Sequence, residues 1–257
     1  MATANSSPIS PRPANQPRRR PTKVATSVAR EILHDIVDRG LAPGAKLPPE
    51  IEMAESLGVA RASLREGLRI LEVHGLITIK PGPGGGPVVA PISSDDLGQT
   101  LTFFLHASAT TFREVMGARL VLEPLMARLA AERDDPAVRA ALREAIDRAG
   151  GVADTDDHKY LDIATDFHDI VSGASGNGVL DLLTRSLKDI YVARIRSVVY
   201  EPGERARILH AHEAVAEAII SGDGDRAEAL MREHMQDFVD RFEERFGGFM
   251  DERIDWF

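Results

Sequence analysis

Hydrophobic positions along this chain recur mostly at helical spacing. From Lys23 to Arg39, the residues Val24, Val28, Ile32 and Ile36, with Leu33 and Val37, fall on one stripe of a helix. Gly40 ends that pattern, and Ala42-Pro43-Gly44 reads as a turn. A short helical pattern opens at Pro49, with Ile51, Ala54 and Leu57 as its apolar face and Gly58 as its stop. A second starts near Ala60 and carries Leu64, Leu68 and Leu71 at i, i+4 and i+7. Arg61, Arg65 and Arg69 stand four apart on another face. Beyond Gly75 the period changes. Leu76 to Lys80 reads as a strand, Pro81 to Pro87 as a Gly/Pro turn, and Val88-Val89-Ala90 as the returning strand.

Pro91 to Asp96 marks a boundary, where Ser94 or Asp95 can cap a helix bearing Leu97, Leu101, Phe104 and Leu105 over 95–106. Helical patterns follow at 111–132, 136–149, 157–174, 177–200, 203–221 and 224–245, with no convincing strand. Pro124 should bend the first of these. The expected fold is mainly α: an N-terminal winged helix-turn-helix of three helices and a small β-wing, then an all-α bundle of six or seven helices. The domain boundaries read as 23–91 and 92–246. Residues 1–22 are Pro-, Ser- and Asn-rich without periodicity and read as a disordered basic tail. In it Arg18-Arg19-Arg20 either reaches DNA, as a minor-groove arm does, or stays solvated. Residues 247–257 read as a short tail with Trp256 and Phe257 exposed, a tail that packs on a neighbour or frays.

Charge divides along the same boundary. Residues 1–90 hold 12 Lys+Arg against 8 Asp+Glu, a net of +4; residues 91–257 hold 19 against 32, a net of −13; together they give the −9 of the chain. The basic footprint therefore sits on the N-terminal third. An apolar fraction of 43% suffices for packed cores, and no apolar run is long enough to cross a membrane. The absence of cysteine rules out disulfides and thiolate metal sites and fits a cytoplasmic protein.

A helix, a tight turn, a helix with a row of cations and a glycine-rich flap form the layout that enters a DNA major groove. Phosphates favour cations there, and guanidinium forks match guanine edges. The candidate DNA contacts are Arg61, Ser63 and Arg65 near the start of the second helix of the motif, and Lys80, Gly82 and Gly84 in the wing. The stretch LPPEIEMAESLGVARASLREGLRILEVHGL resembles the winged helix of GntR-family transcription regulators. It departs from their usual pattern at three places. Ile51 stands for an arginine, Ala60 for Ser or Thr, and Gly67 for alanine at a helix-propensity cost of about 1 kcal/mol. Arg119 to Pro124, Phe167-His168 with Gly173 to Asn177, His212 with Ala218-Ile219, and Gly222-Asp223 to His234 extend the resemblance to the FadR subfamily with its FCD ligand-binding domain.

Eight histidines occur. His168, His212 and His234 each fall on the apolar stripe of a different helix, beside Ala164 and Val171, Val215 and Ile219, and Leu230 and Phe238. Inward imidazoles from several helices are how bundles build metal sites. Three separate hydrogen-bonded core histidines are the plainer alternative. The trio is similar to the metal ligands of FCD domains, and that resemblance implies one divalent metal, with zinc expected. FCD metal sites usually add an aspartate four residues before the first histidine; here that position is Ala164, with Asp162 and Asp166 off the face. Arg119 and Arg194 are the candidate effector-binding cations. An i,i+4 pair with Glu123 is the plain alternative for Arg119, and an internal acid for Arg194.

These features describe a ligand-responsive transcription regulator and not an enzyme. It is expected to repress, to bind a palindromic operator as a homodimer, and to answer to a small carboxylate; an acyl-CoA effector in a metal-free pocket is the alternative. A metal-dependent enzyme on a helical bundle is the weaker reading. No paired carboxylates, nucleophile motif or phosphate loop accompany the histidines.

Overall fold

The computed structural model describes residues 23–82, 84–151, 157–196, 198 and 203–256. The tail expected at 1–22, with Arg18–Arg20, and Phe257 lie outside the described residues, as do 197, 199 and 200 of the helix expected over 177–200. The chain divides into two compact units between Ile92 and Ser93.

The first unit holds α1 (Lys23–Asp38), α2 (Glu50–Ser56), α3 (Arg61–Val73), β1 (Ile77–Lys80) and β2 (Gly86–Val89). The strands pair antiparallel from Ile77↔Val89 to Lys80↔Gly86. Leu64, Leu68 and Leu71 are buried as their spacing requires, against Val28, Ile32 and Ile36 of α1. Two details of the pattern are corrected. Val24 and Val37 are exposed, and the buried stripe of α1 runs through Ala25, Val28, Ala29, Ile32 and Ile36. Ile51 is also exposed, and Met53 with Ala54 faces inward instead.

The first correction has a steric cause. A Cβ on Gly67 of α3 would stand 2.6 Å from Val28 Cγ1 and 3.2 Å from the Ala25 carbonyl oxygen. The two helices cross where Gly67, which has no side chain, meets Ala25 and Val28 of α1. The small residues set the contact line, and the larger valines at the edges of the stripe rotate out of it. Gly67 is thus required by packing.

The second unit holds α4 (Ser94–Ala107), α5 (Phe112–Glu132), α6 (Pro136–Gly150), α7 (Asp157–Ala174), α8 (Gly178–Ile195), α9 (Glu204–Ile220) and α10 (Gly224–Phe246), then a 3-10 turn at Phe249–Asp251. The helix breaks are made by side-chain caps. Ser93, rather than Ser94 or Asp95, caps α4 through the Asp95 amide; Asn177 caps α8 and Asp223 caps α10. Thr111 and Glu114 form a capping box on α5. That helix packs against α7, α8, α9 and α10 and is the axis of the bundle. Its Met116, Met126 and Ala127 are buried among Phe167, Ile190, Val215 and Met231. Phe104 is exposed although its spacing placed it on the inner stripe of α4. Gly98 and Thr102 are the buried residues there, and a Cβ on Gly98 would lie 3.4 Å from the Ser186 carbonyl oxygen.

The C-terminal segment is also corrected. Its first part packs on the bundle: Met250 and Ile254 are buried, and Phe249 meets Phe112 and Phe242 edge-on. The Phe112 amide donates to the Glu252 carbonyl and the Ile254 amide to the Thr110 carbonyl. Trp256 remains exposed, edge-on to Phe103.

Gly67→Ala gains up to about 1 kcal/mol of helix propensity, yet should lower stability by about 1–3 kcal/mol through overpacking against α1. Urea denaturation measures the difference, and Val28→Ala in the same chain should recover part of the loss.

Candidate functional site

Two constructions carry the chemistry, one in each unit. In the first, α3 packs through Leu64, Leu68 and Leu71, which turns Arg61, Arg65 and Arg69 to solvent; Ser63 is half-buried. Arg61 is the first residue of the helix and has no ion-pair partner among the described residues. Arg65 Nε donates to Glu50 Oε2 of α2 at 2.8 Å. Both partners reach solvent, so the pair adds little stability but orients the guanidinium. Ala60 supplies no side-chain cap. The first amides of α3 are left for water or a phosphate oxygen.

The wing turn depends on glycine. Gly82, Gly84 and Gly86 have φ of 91°, 77° and 122°, and a Cβ on Gly85 would lie 2.2 Å from the Lys80 carbonyl oxygen. Lys46 Nζ donates to the Gly84 carbonyl at 3.0 Å. Lys80 stands exposed at the end of β1. The six predicted DNA contacts therefore lie at the N-terminal half of α3 and on the wing.

In the second unit the three histidines converge. One ring nitrogen of each of His168 (α7), His212 (α9) and His234 (α10) lies within 4.8 Å of the others. The Nε2 atoms of His212 and His234 are 3.1 Å apart, so one donates and the other accepts. Phe167 stacks on the His212 ring at 4.2 Å. Burial, and then the neighbouring imidazoles, hold the pKa of His212 well below its ordinary value. Burial, then the His168 imidazole and the Arg119 charge, lower His234 to about 3 against the opposing charge of Glu123. Both are neutral and keep a lone pair at physiological pH, the state a metal requires.

Sequence reasoning missed the residue that joins this cluster to α5. Glu123 was expected only to pair with Arg119. It does so, Arg119 Nε donating to Oε1 at 2.6 Å, but its other oxygen accepts from His168 Nδ1. Burial pushes the Glu123 carboxyl up, and the charges and hydrogen bonds of Arg119 and His168 outweigh it and hold the pKa at about 2. The signal for the Arg119 contact was the four-residue spacing. The contact to His168 spans 45 residues and leaves no mark in a local pattern.

A cavity of about 30 Å³ opens at the histidines, lined by Arg119, Ala164, Thr165, Tyr191, Ile208 and Phe238 among others. That is room for about one water molecule. Arg119 lies over the Tyr191 ring at 4.1 Å. Arg194 does not join this lining. It pairs with Glu252 and lies over the Phe249 ring, where it fastens the C-terminal segment.

Residues 24–85 match the family described as "Bacterial regulatory proteins, gntR family", and residues 114–237 match the "FCD domain". LutR, an HTH-type transcriptional regulator of Bacillus subtilis, is 28% identical over 206 residues, covering 78% of this chain and 92% of that protein. The "Putative L-lactate dehydrogenase operon regulatory protein" of Escherichia coli is 28% identical over 235 residues, 88% of each chain. Among solved structures, Streptococcus agalactiae GntR superposes with a TM-score of 0.66 at 26% identity, covering 84% of this chain and 99% of that one. A DNA-reading head joined to a helical sensor defines a ligand-responsive transcription regulator, not an enzyme. The chain belongs to the GntR family, in its FadR-like group with an FCD domain.

Arg119→Met leaves the Glu123 carboxylate buried with half its partners and should cost about 3–5 kcal/mol. Arg119→Met combined with Glu123→Gln removes both charges and should recover most of that loss. A double-mutant cycle in urea measures the coupling.

Proposed function

We propose that this regulator is a repressor that binds a two-fold symmetric operator as a homodimer. Its DNA affinity is then set by a small carboxylate bound at a metal held by His168, His212 and His234. The observation that carries the sensor reading is the convergence of three imidazoles, His168 and His212 buried and His234 half-buried, beside a cavity bordered by Ala164. Around a tetrahedral zinc, ligand nitrogens stand about 3.3 Å apart. The His212–His234 pair is already at 3.1 Å, and a nitrogen of His168 lies within 4.8 Å of both. The donor set is neutral nitrogen, which suits zinc and other borderline divalent metals. When bound, such a metal offers a coordination position to an anionic oxygen. Ala164 leaves that position without a protein carboxylate, which makes the centre more positive and favours an anion.

The water-sized cavity argues against an acyl-CoA at the histidines. A carboxylate head needs only modest widening. Ile208, His234 and Phe238, which border the cavity, also border a groove of about 530 Å³ between α9 and α10, and this gives the effector a path. The E. coli relative, whose name ties it to an L-lactate dehydrogenase operon, supports a small acid as the ligand class. Arg119 borders the cavity with its charge paired to Glu123, and Arg194 is not among the lining residues. An effector shifts the DNA heads only by binding one dimer arrangement more tightly than the other.

Arg61→Ala and Arg65→Ala should each weaken specific DNA binding by about 1–3 kcal/mol and relax base preference. Lys80→Ala should weaken binding uniformly across sequences and lower the salt dependence. Gel shifts on a selected operator read both, and unchanged affinity in the Arg61/Arg65 double variant contradicts the assignment. A small carboxylate should release the operator from the wild type and not from His212→Ala.

Light scattering should give twice the 28.0 kDa chain mass, because one winged helix covers too little DNA for genomic specificity. A monomer with and without DNA contradicts the dimer.

A further inference from the structure

Acidic side chains are abundant in this chain, 40 in all, yet among the described residues Glu123 is the one that is fully buried. It sits on the histidine cluster. The acids of α7 nearest His168 do not serve that cluster: Asp162 faces Arg196 at 3.6 Å and Asp166 faces Arg148 at 3.5 Å, both pairs toward solvent. The position one turn before His168 on the inner face is Ala164, which lines the cavity. Asp169, next to His168 in sequence, accepts from Lys188 Nζ at 2.7 Å. None of these three carboxylates hydrogen-bonds a histidine of the cluster.

We propose that Glu123, from α5, is the carboxylate of the histidine centre, a positioning residue that acts through His168, and that Arg119 is its clamp and not a ligand of the effector. This rests on the metal reading above. The division of the two oxygens carries the inference. Oε1 accepts from Arg119 and Oε2 from His168 Nδ1. An ionised carboxylate only accepts hydrogen bonds, so Nδ1 carries the proton, and Nε2 is the nitrogen of His168 left to hold a metal. A carboxylate on the far side of a ligating imidazole fixes its tautomer, aims its ring and makes the other nitrogen a better donor.

An ion pair that served stability alone would need no histidine. Here one oxygen is committed to each partner. Arg119, fully buried, held at Nε and laid over Tyr191, fixes the carboxylate in turn. The charges of Arg119 and Glu123 cancel, so a divalent ion bound by three neutral imidazoles keeps its full charge toward the open position beside Ala164. The carboxylate thus orients the site without occupying the place where an anionic effector binds.

The test uses the full chain as wild type, Glu123→Gln, and Arg119→Met with Glu123→Gln, the last removing both charges so that folding survives. Zinc affinity is measured by competition with a chelator. The ring nitrogens of His168 are read by nitrogen NMR in the metal-free protein at mildly alkaline pH. The expected results are one zinc per wild-type chain, a loss of affinity of roughly 10–100-fold in both variants, and a proton on Nδ1 of wild-type His168. A folded double variant that binds zinc within about two-fold of wild type, or a wild-type proton on Nε2, overturns the role given to Glu123 while leaving the metal centre standing. A wild type that binds no zinc overturns the metal centre, and this inference with it.

Discussion

The sensor unit is organised around one buried charge. Moving a carboxylate out of water costs several kcal/mol unless it is paired and hydrogen-bonded, and Glu123 is fully inside the bundle. Both of its oxygens are therefore committed, one to Arg119 on its own helix and one to His168 on α7. That requirement fixes the rotation of α5, the register of α7 against it, and the orientation of the His168 ring. His212 and His234 complete the cluster from α9 and α10, so four helices meet at one cluster of ionisable groups inside the bundle. The desolvation that makes the cluster costly also keeps two of its imidazoles neutral. The same low-dielectric surroundings thus serve packing and leave these two imidazoles with a free lone pair.

The DNA-reading unit follows a different constraint, close approach. α1 and α3 cross at Gly67, Ala25 and Val28 with no space for another methyl group. That contact sets which faces of the two helices remain outside. On α3 the outside face is the arginine row, with Arg65 steadied by Glu50 of α2. On α2 it includes Ile51, an apolar side chain where the family often carries a cation. The wing is held by three glycines of positive φ and by the lysine that caps the Gly84 carbonyl.

Much of this was legible in the sequence. The leucine stripe of α3, the glycine-rich wing, the order of the seven helices in the second unit and the inward placement of three histidines all follow from periodicity and turn chemistry. What was not legible has two physical sources. Hydrophobicity is silent about contacts made by small residues, so the outward turn of Val24, Val37 and Phe104 could not be read; Ala25, Gly67 and Gly98 decide it by what they lack. Contacts distant in sequence leave no local trace either, which hid the Glu123–His168 pairing, the Arg194–Glu252 pairing and the docking of Met250 and Ile254 into the bundle. Arg194 shows the cost of arguing from one helix face alone: an inward arginine needs an anion, and the chain supplied its own.

The central claim is that the buried histidine cluster is a metal centre and not a set of packed core residues. Elemental analysis of untagged protein, purified without a metal-affinity column, tests it most directly. The account predicts about one equivalent of a divalent transition metal per chain, removed by a strong chelator and restored by zinc and dialysis. Less than roughly a tenth of an equivalent, unchanged after zinc is added back and dialysed, would contradict it.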